Sequence, residues 1–553
     1  MQPDLRLNLH VFCAVLFVLL ATARPGVGAE DLTAPLPPGV KAVWDADKAH
    51  RESTATHERI CLNGLWQWQP ANTQSEQAPA GKWGWFKVPG CWPGISDYMQ
   101  KDCQTVFAHP AWKSQNLSSL STAWYQRKIT VPSGWVHRRI ALRVEYLNSF
   151  AVVFVDGQRA GELRFPGGEL DLNVVCRPGE THTLSLLVIA MPLKDVLLSY
   201  GDTFGVKQVN GTVERRGLCG DVYLVGTPWG VRLADVRVRT SVRKQEITFE
   251  AAPLDLAADV SYALHAKVGD SGRSVVEFTS KPFTAADLKE GRIAFTESWR
   301  PGKLWDTHTP QNMYELRLSL VDGAGKILDA ALPERFGFRE FWIDGRDFYL
   351  NDSRIFLCAV PFDNAQIGAA WATYESARES MERLKSFGVN FVYTHNYGCE
   401  PGTHLSFAEI LRAADDEGML VSFSQPHFGQ YQWKSPDADQ TNGYARHAAF
   451  YVQAAENHPS VVFYSMSHNA TGTEEEMNPD MIDGVQDVRN QWSGNNVKQA
   501  LRAEAIVNQL DPGRIVYHHC RAISARCTRR IFTPTSPRSR KCPIGSSTGL
   551  PRA

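Results

Sequence analysis

The sequence predicts a multidomain protein. An all-β jelly-roll sandwich and an immunoglobulin-like β-sandwich precede a partial (β/α)8 TIM barrel. Three observations predict it. At 553 residues the chain exceeds the roughly 250–300 residues at which a single core stops growing. Up to about residue 337 it reads as short alternating strands punctuated by Gly and Pro, with no helical stretch. From Phe338 strands alternate with amphipathic helices, the pattern of βα units around a parallel sheet.

Residues 1–29 read as a signal peptide. Arg6 supplies a basic start, Val11 to Ala21 is an apolar run too short to span a bilayer, and Val27-Gly28-Ala29 offers a small-residue cleavage site. The expectation is an exported protein, periplasmic or extracellular, with no stable membrane anchor after cleavage.

Residues 45–228 form the jelly-roll unit. "AWYQRKITVP" (Ala123 to Pro132), "RIALRVEYLNSFAVVFVDGQRAG" (Arg139 to Gly161) and "HTLSLLVIAM" (His182 to Met191) are strands, with Asp156-Gly157 as a hairpin turn. Residues 229–337 repeat the texture on an immunoglobulin-like scale. There "MYELRLSLVDGAGKIL" (Met313 to Leu328) makes a hairpin around Asp322-Gly323. Residues 338–519 supply strands one to about five of the barrel: "RIFLCAVPF", "VNFVYTH", "MLVSFSQ", "SVVFYSM" and "RIVYHH". The helix from Tyr374 ends at a capping glycine, Gly388.

Composition excludes little but is informative. Lys and Arg number 58 against 59 Asp and Glu, so charge gives no reason to expect a nucleic-acid partner. The 16 tryptophans suit sandwich cores and also the stacking of sugar faces. Eleven cysteines at irregular spacing form neither a disulfide framework nor a metal motif. A Cys91–Cys103 bridge is compatible with an oxidising compartment. No cofactor or metal ion is required by the sequence.

"CLNGLWQW" (Cys61 to Trp68), "KVPGCWPG" (Lys87 to Gly94) and "RRGLCGDVYL" (Arg215 to Leu224) resemble the sugar-binding sandwich of family 2 glycoside hydrolases. That family includes β-galactosidases, β-glucuronidases and β-mannosidases. "PGKLWDTHTPQNMYEL" resembles the end of its immunoglobulin-like domain, and "NHPSVVFYSM" its fourth barrel strand. The resemblance spans roughly residues 45–519. It implies hydrolysis of O-glycosidic bonds in oligo- or polysaccharides by two carboxylates, a proton donor and a nucleophile.

The expected proton donor is missing. The family places a glutamate after strand four, preceded by Asn; here His468 falls on the Asn and Asn469 on the Glu. With one residue inserted, Ala470 takes the Glu position instead. Three readings stay open. The acid has moved to Glu474, Glu475 or Glu476, or His468 donates the proton. Alternatively the site binds saccharide without cleaving it, as a non-catalytic pseudoenzyme. Or these are loop residues of a structural or adhesive exported β-sandwich protein. The family's Arg and His on strand two fall on Tyr393 and Asn396, with His395 one place early, and its Glu after strand three falls near Gln425. His395, Asn396, Gln425, His427 and Trp433 are the expected saccharide-binding groups.

Residues 520–553 carry eight Arg or Lys and no Asp or Glu, and no periodicity runs through them. We read this basic tail as a frameshift near the codon for Cys520. On that reading the chain is truncated before the strand that carries the family's nucleophile, and is inactive.

Overall fold

In the computed structural model the described residues are 33–71, 76–90, 92, 106–115, 117, 120–190, 216–345, 347–362, 373–394, 407–466 and 491–518. The expected signal peptide, the Cys91–Cys103 pair and the basic tail lie outside them. No helix among these residues is long and apolar enough to cross a membrane.

The first unit is two antiparallel sheets face to face. One runs Arg51–Ser53, Glu58–Cys61, Val222–Pro228, Arg138–Val144, Gly168–Asp171 in spatial order. The other has seven strands, with Thr122–Thr130 at its centre. Alternating side chains from both fill one core, in which Trp66, Trp68, Trp92 and Tyr125 are fully buried. Each such ring removes on the order of 200 Å² from water, worth about 5 kcal/mol before conformational entropy is subtracted. Most of the tryptophan excess therefore serves packing. Gly217 shows how tight that core is. Its φ is +118°, and a Cβ there would lie 2.5 Å from Tyr125 Oη and 2.7 Å from the Trp92 ring.

The Asp156-Gly157 hairpin forms as the sequence predicts, both residues at positive φ (50° and 80°) between strands Phe150–Val155 and Gln158–Arg164. The carboxylate of Asp156 accepts from the Thr183 amide and meets His182 Nδ1, both at 2.7 Å.

A second sandwich pairs Arg232–Ser241, Glu246–Leu254 and Ile293–Ser298 in one sheet, with the other sheet built around Tyr262–Asp270 and Tyr314–Asp322. The predicted hairpin is longer than a two-residue turn. Strand pairing resumes at Ile327, Gly325 carries the positive φ, and Asp322 Oδ1 accepts from the amides of Ala324 and Lys326. Asp322 thus caps the turn instead of sitting inside it.

The third unit holds five parallel strands in chain order: β1 (Ala359–Pro361), β2 (Phe391–Tyr393), β3 (Leu420–Ser424), β4 (Val461–Ser465) and β5 (Ile515–Tyr517). Helices α1 (Tyr374–Ser386), α2 (Phe407–Glu417), α3 (Tyr444–Ala455) and α4 (Gln491–Leu510) lie between them. Strand residues alternate between two layers. Val392, Val421, Phe423, Tyr464 and Val516 pack with Met381, Leu411, Ala448 and Val507 of the helices. Phe391, Leu420, Phe463 and Tyr517 pack instead on Trp305, Phe341 and Leu350.

One predicted strand is two. The start of "RIFLCAVPF" belongs to strand Ser353–Ile355, which closes an antiparallel sheet with Phe341–Asp344 and Asp347–Leu350, and only Ala359–Pro361 joins the parallel sheet. Asn390 stabilises the break, its side chain accepting from the Cys358 amide at 2.9 Å and donating to the Phe356 carbonyl at 2.8 Å. The described residues thus form a multidomain, β-rich chain ending in an open five-stranded parallel sheet with helices.

Candidate functional site

Ligands of parallel α/β sheets bind beyond the carboxyl ends of the strands. Here the residues that directly follow the five strands are Phe362, Thr394, Gln425, Met466 and His518. None is a carboxylate. Backbone bonds hold this edge level: Phe362 donates to the Tyr393 carbonyl, Thr394 to Ser422, Gln425 to Ser465 and Met466 to Tyr517, at 2.8–3.0 Å. Thr394 Oγ1 accepts from the Ser424 amide at 2.9 Å, and Ser424 Oγ donates back to the Thr394 carbonyl. Among the described residues, hydroxyl and amide groups of Thr394, Ser424 and Gln425 lie at this edge, and no carboxylate directly follows a strand.

Of the expected binding residues, Gln425, His427 and Trp433 are described, and one loop carries all three. Gln425 is buried. His427 starts a short 3-10 turn, Phe428–Gln430, and its ring lies flat on Phe428 with centroids 5.1 Å apart. Burial pushes the His427 imidazole down to about 4. Trp433 is a packing residue. Its indole N–H donates to the Phe428 carbonyl at 2.8 Å, Tyr444 packs 5.3 Å away, and the Arg502 guanidinium lies 5.5 Å from the ring centroid. Only 5 % of Trp433 is exposed, so it braces the loop, and the expected stacking on a sugar gives way to this role. His395, Asn396, His468, Asn469, Glu474, Glu475 and Glu476 lie outside the described residues.

Sequence reasoning missed His518. It is buried at the end of β5, and its Nε2 lies 3.2 Å from Glu504 Oε2 of α4. A histidine directly after a predicted strand was the available signal, but its carboxylate partner is fourteen residues upstream, on a different element.

A second omission is the loop entering β4, Glu456 to Ser460, which residues from several elements grip. Arg514 donates to the carbonyls of Ala455, Glu456 and His458, and Arg339 to those of Pro459 and Val461. Asn457 accepts from the Val238 amide at 3.0 Å and donates to the Val236 carbonyl at 2.8 Å. Arg237 pairs with Glu456, and His458 Nδ1 lies 2.6 Å from Asp415. Burial, with Arg514 nearby, pushes the Arg339 guanidinium down to about 9. The loop fixes where β4 begins, and so where its far end emerges at the edge.

No family model matches the chain. Among curated proteins, it is 26% identical over 365 residues to a Formosa agariphila protein provisionally named a β-glucuronidase, covering 63% of this chain and 40% of that protein. It is 22% identical to a Psychromonas ingrahamii β-galactosidase (77% and 41% covered) and 21% identical to a Pongo abelii β-glucuronidase (75% and 64%). The chain thus spans about two fifths of the first two relatives. Among solved structures, a Bacteroides uniformis β-glucuronidase matches with TM-score 0.59 at 19% identity over 84% of this chain and 52% of that one. A family 2 β-galacturonidase from Eisenbergiella tayi bound to galacturonate matches with TM-score 0.56 at 18% identity, over 84% and 73%. In sequence and in fold the chain is thus similar to family 2 glycoside hydrolases.

Proposed function

We propose that this chain belongs to an O-glycosyl hydrolase acting on oligo- or polysaccharides. Its five parallel strands would be the first part of a (β/α)8 barrel, behind a jelly-roll domain (45–228) and an immunoglobulin-like domain (229–337). The observation that carries the reading is the agreement between the relatives' names and a parallel sheet preceded by two sandwiches. The saccharide would lie at the carboxyl-terminal edge, against Gln425 and His427 and the segments bearing His395, Asn396, His468 and Asn469. The acid would be His468 or one of Glu474 to Glu476. The leader suggests an exported protein, and the overall charge balance gives no reason to expect a nucleic-acid partner.

The absence of a carboxylate directly after any of the five strands favours a second reading, saccharide binding without turnover. One experiment separates the two. Aryl β-galactosides and β-glucuronides are incubated with the chain, and with His468→Ala and Glu474→Gln/Glu475→Gln/Glu476→Gln variants, while binding is followed calorimetrically. Turnover abolished by one of these variants supports the hydrolase; binding with no turnover supports the pseudoenzyme. Neither turnover nor binding defeats both readings.

A further inference from the structure

A small cavity lies where the second sandwich meets the amino-terminal ends of β4 and β5, opposite the candidate edge. Its volume is about 80 Å³, and Arg239, Arg339, Glu456, His458, Asp511 and Arg514 contribute to its wall. That is room for a small ion with a few waters, and too little for a sugar ring. The wall has a solvent-facing side, since the Arg239 side chain is 39 % exposed. The two segments approach closely here: a Cβ on Gly337 would lie 2.8 Å from the Pro459 ring.

Each carboxylate in or beside this wall already has a partner. Glu250 meets Arg239 at 2.7 Å, Glu456 meets Arg237, Asp415 meets His458 Nδ1 at 2.6 Å, and Asp511 meets Arg514 at 3.5 Å and Tyr464 at 3.0 Å. Glu340, next to Arg339 in the chain, is taken by Arg243. Arg339 pairs with none of them. Its Nε and Nη2 donate to the carbonyls of Pro459 and Val461, which are neutral acceptors and leave its charge uncompensated. Its Nη1 has no hydrogen-bond partner among the described residues, and neither has Arg514 Nε; neither atom is enclosed. Each guanidinium therefore keeps one accessible N–H nitrogen, and both groups line the same cavity. A cation drawn out of water without a counter-charge costs free energy, and a second cation nearby adds to the cost. The depressed proton affinity of Arg339, caused by burial and by Arg514, reflects both effects.

We propose that this cavity binds one small monovalent anion, chloride or an ion of similar size, between Arg339 and Arg514. The anion supplies the counter-charge that Arg339 lacks. It also ties the chain just before strand Phe341–Asp344 to the turn before β5, and so tightens the joint that holds residues 456–460. The site is independent of the saccharide reading of the opposite edge. An ion that binds only the folded chain stabilises it by mass action and saturates. General screening differs, because any salt of equal ionic strength produces it.

Two measurements on the full chain test this. In the first, thermal unfolding is followed from about 10 to about 500 mM sodium chloride, with sodium gluconate holding the ionic strength constant. The expected result is a midpoint that rises by about 2 °C or more with chloride and then levels off. Arg339→Met should show no such rise. A wild-type midpoint indifferent to chloride, or an Arg339→Met protein with the wild-type response, overturns the proposal. The second measurement does not depend on how the variant folds. Wild-type crystals are soaked in sodium bromide, and an anomalous peak between Arg339 and Arg514 is expected. Water alone at that position, or bromide bound only elsewhere on the surface, overturns the proposal.

Discussion

The Asn457 carboxamide donates to the Glu334 carboxylate at 3.2 Å, across the junction of the second sandwich and the parallel sheet. No lysine or arginine pairs with Glu334 among the described residues. Around it lie Asp235 of one sandwich strand, Arg59 of the first sandwich and His458 of the loop before β4. Burial, reinforced by Asp235, pushes the Glu334 carboxyl up to about 7.

Burial of Glu334, which outweighs the Asn457 hydrogen bond, should make stability depend on pH. The folded state holds the Glu334 proton more tightly than the unfolded chain does. Its contribution is full below about pH 4.5 and is lost as pH climbs through about 7, a change on the order of 3 kcal/mol. Glu334→Gln should remove this dependence and be the more stable protein at pH 8. Thermal unfolding at pH 5 and pH 8 checks it; equal pH slopes for the two proteins would count against it.

Tyr464 on β4 donates to Asp511 at 3.0 Å and accepts from Arg514 at 2.8 Å; Tyr464 and Asp511 are buried and Arg514 is partly so. Tyr464→Phe removes both bonds and leaves Asp511 short of a donor. We expect a loss of about 1–3 kcal/mol, read as a lower urea midpoint at unchanged slope.

Gly217→Ala should cost about 1–3 kcal/mol or more, because the new methyl meets Tyr125 and Trp92 and the backbone has positive φ. Gly230→Ala is the control. It also has positive φ, at 85°, but nothing lies within 4 Å of the added carbon. Its loss in thermal midpoint should be the smaller of the two.

Thr394→Val keeps the volume of the side chain but deletes the oxygen that receives the Ser424 amide. With both residues buried, an unpaired N–H would be left at the candidate edge. We expect a cost of about 1–3 kcal/mol and faster amide exchange at Ser424, measured by hydrogen–deuterium exchange.

Much of the fold is legible in local signals. The Asp156-Gly157 turn, the capping Gly388 and the periodicity of α1 to α4 each depend on residues close in sequence, where backbone preference and alternation decide the outcome. The signals fail where a distant group intervenes. Asn390 ends the strand predicted through Phe356, and it lies more than thirty residues from the break it bridges. Trp433 is among the saccharide-binding groups expected from the sequence. Tyr444 and Arg502, on two separate helices, take it into the core. Arg339 and Arg514 carry no local signature at all, since both act by reaching backbone carbonyls of another segment.

The grip on residues 456–460 bears on how this architecture can be recombined. A chimera that replaced only the second sandwich would strip Arg237, Val238 and Glu334 from one short loop in a single exchange. Grafts that transfer these partners together with Asn457 and Arg514 keep the joint whole. The practical cutting points of this chain therefore fall inside its structural units, on either side of the shared seam, and not at the linkers between them.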